Sequence, residues 1–317
     1  MKFLYCFDKN YNFQGITSIN SLISSTNLKL SIYIIHEDPD SIRKSIIDIN
    51  QNNLHEIKIY KFKKQSFEFP RVKGTHVSDA TYYRLFISEY LPEDIDFITY
   101  IDADIICIKS PIDAISKTIN LMKKNNLSIS ATTESVGRLE DISRLNLKQE
   151  KYFNAGVLVI NFQSWNKKNK KNEFINNLNK IKEKILWWDQ DVLNYTYDGE
   201  YLELSNLLNY QIEINNNFDT KKIDEEVIFL HYLGNTKPWS FSGLENNYSK
   251  YYQTYFRKIS EKKYHLVSKN LKQDFFKFIK LIIFDFKNIE YKFAFIQISL
   301  NTLFLNFIKK ISQKINK

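Results

Sequence analysis

Cysteine, proline and glycine are scarce in this 317-residue chain, which holds two, five and seven of them. Two cysteines, Cys6 and Cys107, cannot build a disulfide framework, so a reducing compartment is the simpler expectation. Glycine and proline far below their usual shares of about 7% and 5% exclude a collagen-like or low-complexity chain. A leader is also missing from the expectation: Met1-Lys2-Phe3-Leu4-Tyr5 runs straight into a strand-like pattern, with no long apolar region or small-residue cleavage site. What is present is 43% apolar and 15% aromatic residue content, enough at this length for one large or two modest domains with a sizeable core. Lys, Asn and Ile are abundant, as an A/T-rich coding sequence would impose, which makes the few retained glycines more informative.

The net charge of +9 raises the question of a nucleic acid or an anionic membrane as partner. Its distribution separates the two. From Tyr264 to Lys317 ten Lys side chains stand against Asp274, Asp285 and Glu290, a surplus of seven that leaves only +2 for the first 263 residues. Nucleic-acid binding calls for basic residues interleaved with aromatics across the body, and a nearly neutral body speaks against it and leaves it a remote alternative.

The pattern along the chain is α/β. Residues 2–7 read as a buried strand, 13–25 as a helix with Ile16, Ile19, Leu22 and Ile23 on one face, 30–35 as a strand, 41–50 as a helix and 57–62 as a strand. This βαβαβ rhythm predicts a mostly parallel sheet flanked by helices on both faces. Residues 81–90 read as a helix closed by Pro92, and 97–104 as a strand running into acidic residues. Strands follow at 128–132, 157–161 and 227–231, and a helix begins at 189–195. The lysine/asparagine run 167–171 reads as a solvated loop or helix face. Past about Tyr248 the alternation gives way to amphipathic aromatic helices, which sets the expected organisation: an α/β domain over 1–250 and a basic helical segment over 251–317.

Open α/β sheets bind ligands at the carboxyl ends of their strands. Asp102-Ala103-Asp104 follows an apolar strand, and extended backbone would place both carboxylates on one side. Such a pair suits a hard divalent ion, or equally a solvated turn or helix N-cap. His231 ends another strand and opens His-Tyr-Leu-Gly-Asn-Thr-Lys-Pro-Trp. Its imidazole is a third ligand from a second strand, or a hydrogen-bonded structural histidine. Gly234 permits close backbone approach and Lys237 a point charge on a phosphate. Asp8 and Asn10 after the first strand could form a turn, and Asp189 could cap a helix.

The segments CFDKNY (6–11), THVSDATYYRL (75–85), YIDADII (100–106), YFNAGVLVIN (152–161), WWDQDVLN (187–194), LNYQ (208–211) and HYLGNTKPW (231–239) occur in one order along residues 2–245. In these the chain resembles glycosyltransferase family 8, above all its bacterial lipopolysaccharide and lipooligosaccharide galactosyl- and glucosyltransferases. The resemblance implies a GT-A type, Rossmann-like fold and retaining transfer of a hexose from UDP-galactose or UDP-glucose to a glycan or glycolipid acceptor. It implies Asp102, Asp104 and His231 as ligands of Mn²⁺ or Mg²⁺. Asp8, Asn10 and Tyr11 fall where the family holds uracil and ribose, Gly234 and Lys237 where it holds the diphosphate, and Ala103 beside the metal ligands at the bound nucleotide. Arg84, Asn154, Ala155, Asp189 and Gln190 match positions around the donor hexose, and His76 the acceptor side. A glycoprotein or capsular glycan is the alternative acceptor, and a noncatalytic sugar-nucleotide-binding protein the remote one.

Departure of UDP builds negative charge that a cation held by the two aspartates and the histidine, with Lys237 alongside, would stabilise. Gln190 is a neutral amide and a poor nucleophile, which favours front-face attack, while Asp189 is either a nucleophile or a grip on sugar hydroxyls. In the tail, Phe275, Phe278, Ile279, Ile282 and Phe286 share a helical face, with Lys269, Lys280 and Lys287 on another. Residues 293–308 span ~24 Å at ~1.5 Å per residue, short of a ~30 Å hydrocarbon core. A basic, aromatic, amphipathic segment reads as an interfacial anchor on an anionic surface, or as helices packed on the catalytic domain. The expected location is therefore cytoplasmic, peripheral on the inner membrane, and truncation after about Ser260 should spare catalysis.

Overall fold

The structure is a computed structural model that describes residues 1–43, 56–63, 65, 67–70, 78–134, 138–167, 169–214 and 219–315. Its centre is a seven-stranded sheet in the order β3-β2-β1-β4-β7-β6-β8, built from β1 (Lys2–Phe7), β2 (Ser31–His36), β3 (Glu56–Lys61), β4 (Phe97–Ile101), β6 (Ile129–Thr133), β7 (Phe153–Asn161) and β8 (Leu202–Glu203). Strands β5 (Ile105–Cys107), β9 (Tyr210–Ile212) and β10 (Phe229–Tyr232) form a second sheet in the order β5-β10-β9. The large sheet is mostly parallel, as expected: β3, β2, β1 and β4 pair in one direction, and β7 alone runs against its neighbours β4 and β6.

Both faces of β1 and β2 are apolar, as a sheet covered on two sides requires. Leu4, Cys6, Tyr33 and Ile35 point into one core with Tyr82, Phe86 and Leu158, while Phe3, Tyr5, Ile32 and Ile34 point into the other with Ile16, Ile19 and Leu22. The expected helix at the N-terminal end is Asn12–Ser24. The expected helix 41–50 is described only as far as residue 43, and the rest lies outside the described residues. Cys6 and Cys107 are both free and buried.

Three local expectations are corrected. The segment expected to be a helix at 81–90 is a long 3-10 helix, Asp79–Glu89, capped by Ser78, whose side chain accepts from the Ala80 amide. The strand expected to run through Asp104 ends at Ile101, and Asp102-Ala103-Asp104 forms a turn closed by the Ile105 N–H on the Asp102 carbonyl (3.3 Å). Within the lysine run, Lys170 is not solvated: it is buried, donates to Glu173 (2.6 Å) and lies 4.9 Å from the centre of the Tyr197 ring. Aliphatic stem and ring account for its burial.

Helix Lys250–Ile259 packs Tyr251, Tyr252 and Phe256 into a cluster with β10 residues Leu230 and Tyr232 and with Trp239. Beyond it, Tyr264, Leu266, Phe278, Leu281, Ile289, Phe295 and Leu303 gather around Phe241 and Leu244. The tail stripe is split by this packing. Phe278 is buried and meets the Phe241 ring edge-on at 6.5 Å, and Ile282 and Phe286 pack against the same cluster, but Phe275 and Ile279 are 47% and 37% exposed. Among the described residues no helix is long and apolar enough to cross a membrane.

Candidate active site

The turn after β4 and the antiparallel strand β7 together create the site. Because β7 runs opposite to β4, with Ile101 opposite Val157, its first residues extend past the carboxyl end of β4. There the Asp102 amide donates to the Gly156 carbonyl (2.9 Å), which sets Asn154 and Ala155 beside the acidic turn. The second sheet delivers the imidazole: β10 pairs with β5 so that His231 lies opposite Ile105, one residue after Asp104.

Asp102, Asp104 and His231 converge, each offering a ligand atom within 4.8 Å of the others. His231 Nε2 lies 3.4 Å from Asp104 Oδ1, and Lys237 Nζ donates to Asp104 Oδ2 at 2.8 Å and to the Tyr232 carbonyl at 2.5 Å. Burial alone would raise the Asp104 carboxyl, but the Lys237 ammonium and the His231 ring hold it well below the usual carboxylate range. Burial raises Asp102 instead, partly offset by Arg84 and reinforced by Asp104. The Tyr100 hydroxyl donates to Asp102 Oδ1 at 2.5 Å. Asp104 Oδ1 is buried without a hydrogen-bond partner. Two carboxylates, one of them with an orphaned buried oxygen, and an imidazole fit a divalent cation, since hard oxygen donors with one nitrogen suit Mn²⁺ or Mg²⁺.

A second cluster surrounds Arg84, which is 4% exposed and lies 4.2 Å from the centre of the Tyr100 ring. Its Nε pairs with Asp189, its Nη2 donates to Asp189 Oδ1 (3.3 Å), its Nη1 donates to the Ala155 carbonyl (2.6 Å) and lies 3.4 Å from Asp102 Oδ1. Asp189 also accepts from the Thr81 hydroxyl. Its carboxyl is pushed up by burial to about 6, against the pull of Arg84 and Thr81. The helix is Trp188–Tyr197, so Asp189 sits inside its first turn and is not the N-cap. Asp191 accepts the Leu186 and Trp187 amides instead (2.8 and 2.9 Å). The Gln190 amide is held at both ends, accepting from Ala155 N (2.9 Å) and donating to the Tyr152 hydroxyl (3.4 Å).

Asp8 closes β1 and accepts from the Asn10 backbone and side-chain amides (2.9 and 3.1 Å), so the turn reading holds for its local geometry. The Tyr11 ring meets Trp239 edge-on at 5.9 Å, and burial followed by the charges of Asp104, Asp8 and Asp102 raises its phenol. Gly234 has φ +68°, and a Cβ there would meet nothing closer than Glu213 Oε1 at 3.8 Å, so its backbone conformation rather than crowding calls for glycine. His76 lies outside the described residues.

Gly156 was not singled out by sequence reasoning, although scarcity of glycine was a usable signal. A Cβ on it would fall 2.7 Å from His231 Nδ1 and closer still to Cε1, so the imidazole occupies the space a side chain would take. Tyr100 was legible too, lying two residues before Asp102. Glu134, which accepts from Asn154 Nδ2 (2.9 Å), gave no sequence signal.

Comparison with known proteins places this geometry among relatives. The sequence profile of the family described as "Glycosyl transferase family 8" matches residues 2–243. A lipopolysaccharide 1,2-glucosyltransferase of Escherichia coli is 29% identical over 250 residues, covering 73% of this chain and 71% of that protein. A lipopolysaccharide 1,3-galactosyltransferase of Salmonella typhimurium is 27% identical over 249 residues, covering 74% and 72%. Among solved structures, an active-site mutant of LgtC superposes with a TM-score of 0.67 at 18% identity, covering 86% of this chain and all of that one.

Proposed function

The chain belongs to glycosyltransferase family 8, has a GT-A fold and is a hexosyltransferase, and from that premise we propose retaining, metal-dependent transfer of galactose or glucose from a UDP-sugar to a lipopolysaccharide-type glycan. The observation that carries the reading is the convergence of Asp102, Asp104 and His231 beside the buried Arg84–Asp189 pair. A divalent cation bound by these three side chains supplies Lewis-acid stabilisation of the charge that grows on departing UDP. Lys237, already at Asp104, adds a positive charge on the diphosphate side, where Gly234 leaves the backbone open. Tyr11, Asp8 and Asn10 flank the nucleoside end. Ala103 stays buried within the acidic turn.

On the sugar side, Arg84 and Asn154 are held rigidly for hydroxyl contacts, and a preorganised polar wall needs no rearrangement as charge develops. Asp189 is 1% exposed with its oxygens engaged by Arg84 and Thr81, which supports a gripping and bracing role over nucleophilic attack. Gln190 is tethered at both ends of its amide and chemically a poor nucleophile. Front-face departure and attack on one side of the anomeric carbon, with a donor phosphate oxygen accepting the acceptor's proton, then accounts for retention. The test is UDP release without acceptor in Mn²⁺, across a panel of UDP-sugars. Slow hydrolysis of UDP-galactose or UDP-glucose alone is expected; hydrolysis of neither, with or without Mn²⁺, would refute the reading.

The tail is proposed to dock this enzyme on the anionic cytoplasmic face of the inner membrane, where a glycolipid acceptor is presented. Helix Lys292–Ile315 has two apolar faces: Phe295 and Leu303 point inward, with the buried Ser299 between them, while Leu300, Phe304, Phe307, Ile308 and Ile311, at helical spacing, are exposed. Lysines near such a surface contribute about 1 kcal/mol each on an anionic bilayer. Truncation after Ser260 is not the right test, because Tyr264 and Leu266 pack against Phe241 and Leu244, and the Val267 amide donates to the Trp239 carbonyl beside Tyr11. Replacing exposed Phe276, Phe284 and Phe304 with serine is expected to weaken co-sedimentation with phosphatidylglycerol vesicles at least tenfold and leave UDP-sugar hydrolysis unchanged. Equal sedimentation of variant and parent would overturn the anchor.

A further inference from the structure

Asn209 is 1% exposed and sits between the 3-10 helix Asn206–Leu208 and β9; it belongs to the LNYQ segment (208–211) but has been given no role so far. Its side chain bridges His231 and Asn154: Oδ1 lies 2.9 Å from His231 Nδ1, and Nδ2 donates to Asn154 Oδ1 at 3.0 Å. The direction of every bond in this chain follows from its far end. The Gly156 N–H can only donate, and the atom it meets at 2.9 Å is therefore the Asn154 oxygen. The Asn154 NH₂ is then the group facing Glu134 Oε1 at 2.9 Å, an acceptor whose other oxygen pairs with Arg138. Two independent partners thus fix the Asn154 amide one way round. The second group approaching Asn154 Oδ1 must donate, so Asn209 presents its NH₂ there and its oxygen to the imidazole. That oxygen accepts, and His231 Nδ1 carries the proton. The nitrogen left facing Asp104 is Nε2.

We propose that Asn209 is a positioning residue that fixes His231 as the Nδ1–H tautomer and ties it to Asn154, so that the imidazole at the cation pocket and the amide at the sugar pocket are one hydrogen-bonded unit. The proposal rests on the reading of His231 as a metal ligand in one respect: it says which nitrogen is offered. Metal-binding histidines depend on the partner of their other nitrogen for orientation and basicity, and loss of such a partner weakens binding about 10–100-fold. Gly156 completes the arrangement, since its missing side chain lets the ring lie against β7 within reach of Asn209.

The test uses full-length protein labelled with ¹⁵N-histidine, at mildly alkaline pH without metal, and Mn²⁺ binding in the presence of UDP followed by electron paramagnetic resonance. In the parent, His231 should give the Nδ1–H pattern. Asn209→Leu should lose that pattern and bind Mn²⁺ about 10–100-fold more weakly. Asn209→Asp keeps an acceptor for Nδ1–H but cannot donate to Asn154. It should retain the tautomer and Mn²⁺ affinity within about threefold, while its UDP-sugar hydrolysis falls at least tenfold. A residue that merely supports the fold would move both variants alike. The proposal is overturned if Asn209→Leu keeps the parental tautomer, or if Asn209→Asp loses Mn²⁺ as Asn209→Leu does. His231→Gln separates the two layers: undiminished Mn²⁺ binding there would remove the metal reading, while the tautomer result would still stand or fall on Asn209.

Discussion

Asp104→Asn is expected to reduce Mn²⁺-dependent UDP-sugar turnover about a thousandfold while leaving the fold intact. Asparagine matches the shape of aspartate but removes one ligand charge and one of the two carboxylates that make the pocket attractive to a hard cation. It also removes the negative charge that pairs with the Lys237 ammonium at Asp104 Oδ2. Stabilisation of a leaving group by a fixed donor or cation accounts for about 10²–10³ in rate, and here cation and lysine are disturbed together. The carboxylate lies at the edge of the core, with a side chain 16% exposed, so the change should cost little stability. Initial rates over a Mn²⁺ titration are the measurement. Near-parental rates at every Mn²⁺ concentration would remove Asp104 from the ligand set; a loss confined to low Mn²⁺ and restored by excess metal would place its role in affinity alone.

Arg84→Leu is expected to have the largest effect on stability, a loss of about 3–5 kcal/mol, because it strands buried carboxylates that share one guanidinium. Arg84 is the partner of Asp189, which is 1% exposed, and lies 3.4 Å from Asp102 Oδ1. Even with Arg84 present, burial pushes the Asp189 carboxyl from 3.8 to about 6. Without it the folded-state value climbs further. The unfolded chain then releases a proton near pH 4 that the folded chain keeps, so stability falls as pH rises through and beyond 6. Urea midpoints at pH 5 and pH 8 should therefore differ more from the parent at pH 8. A loss below about 1 kcal/mol, or a larger loss at pH 5, would contradict the assignment of Arg84 as the charge that permits these two carboxylates to be buried.

The unbroken apolar runs in KFLYCF and SIYIIH state a strand covered on two faces, and the βαβαβ rhythm states its parallel pairing, so the N-terminal half of the sheet was readable in the sequence. The sense of β7 was not: FNAGVLVIN is buried along its length and would read the same in either direction, yet its antiparallel course is what carries Asn154 to the end of β4. The acidic turn was recognised by residue type and misjudged in conformation, since the bend at Ala103 comes from the second sheet beginning at Ile105, a long-range pairing with Phe229–His231. Arg84 and Asp189 are 105 residues apart, and no local pattern couples them. Their partnership, like that of Asn209 with His231, exists only after the strands have crossed. In the tail, helical spacing located the amphipathic segments, but the choice of which apolar face turns inward depends on Phe241 and Leu244, which lie outside the repeat.

The most direct test of the account is a crystal structure of the full chain with Mn²⁺ and UDP, with the metal located by its anomalous scattering. The account predicts one manganese peak between Asp102, Asp104 and His231, bonded through His231 Nε2, with the diphosphate on its open side near Lys237. A peak elsewhere, or UDP bound with those three side chains turned apart, would contradict it.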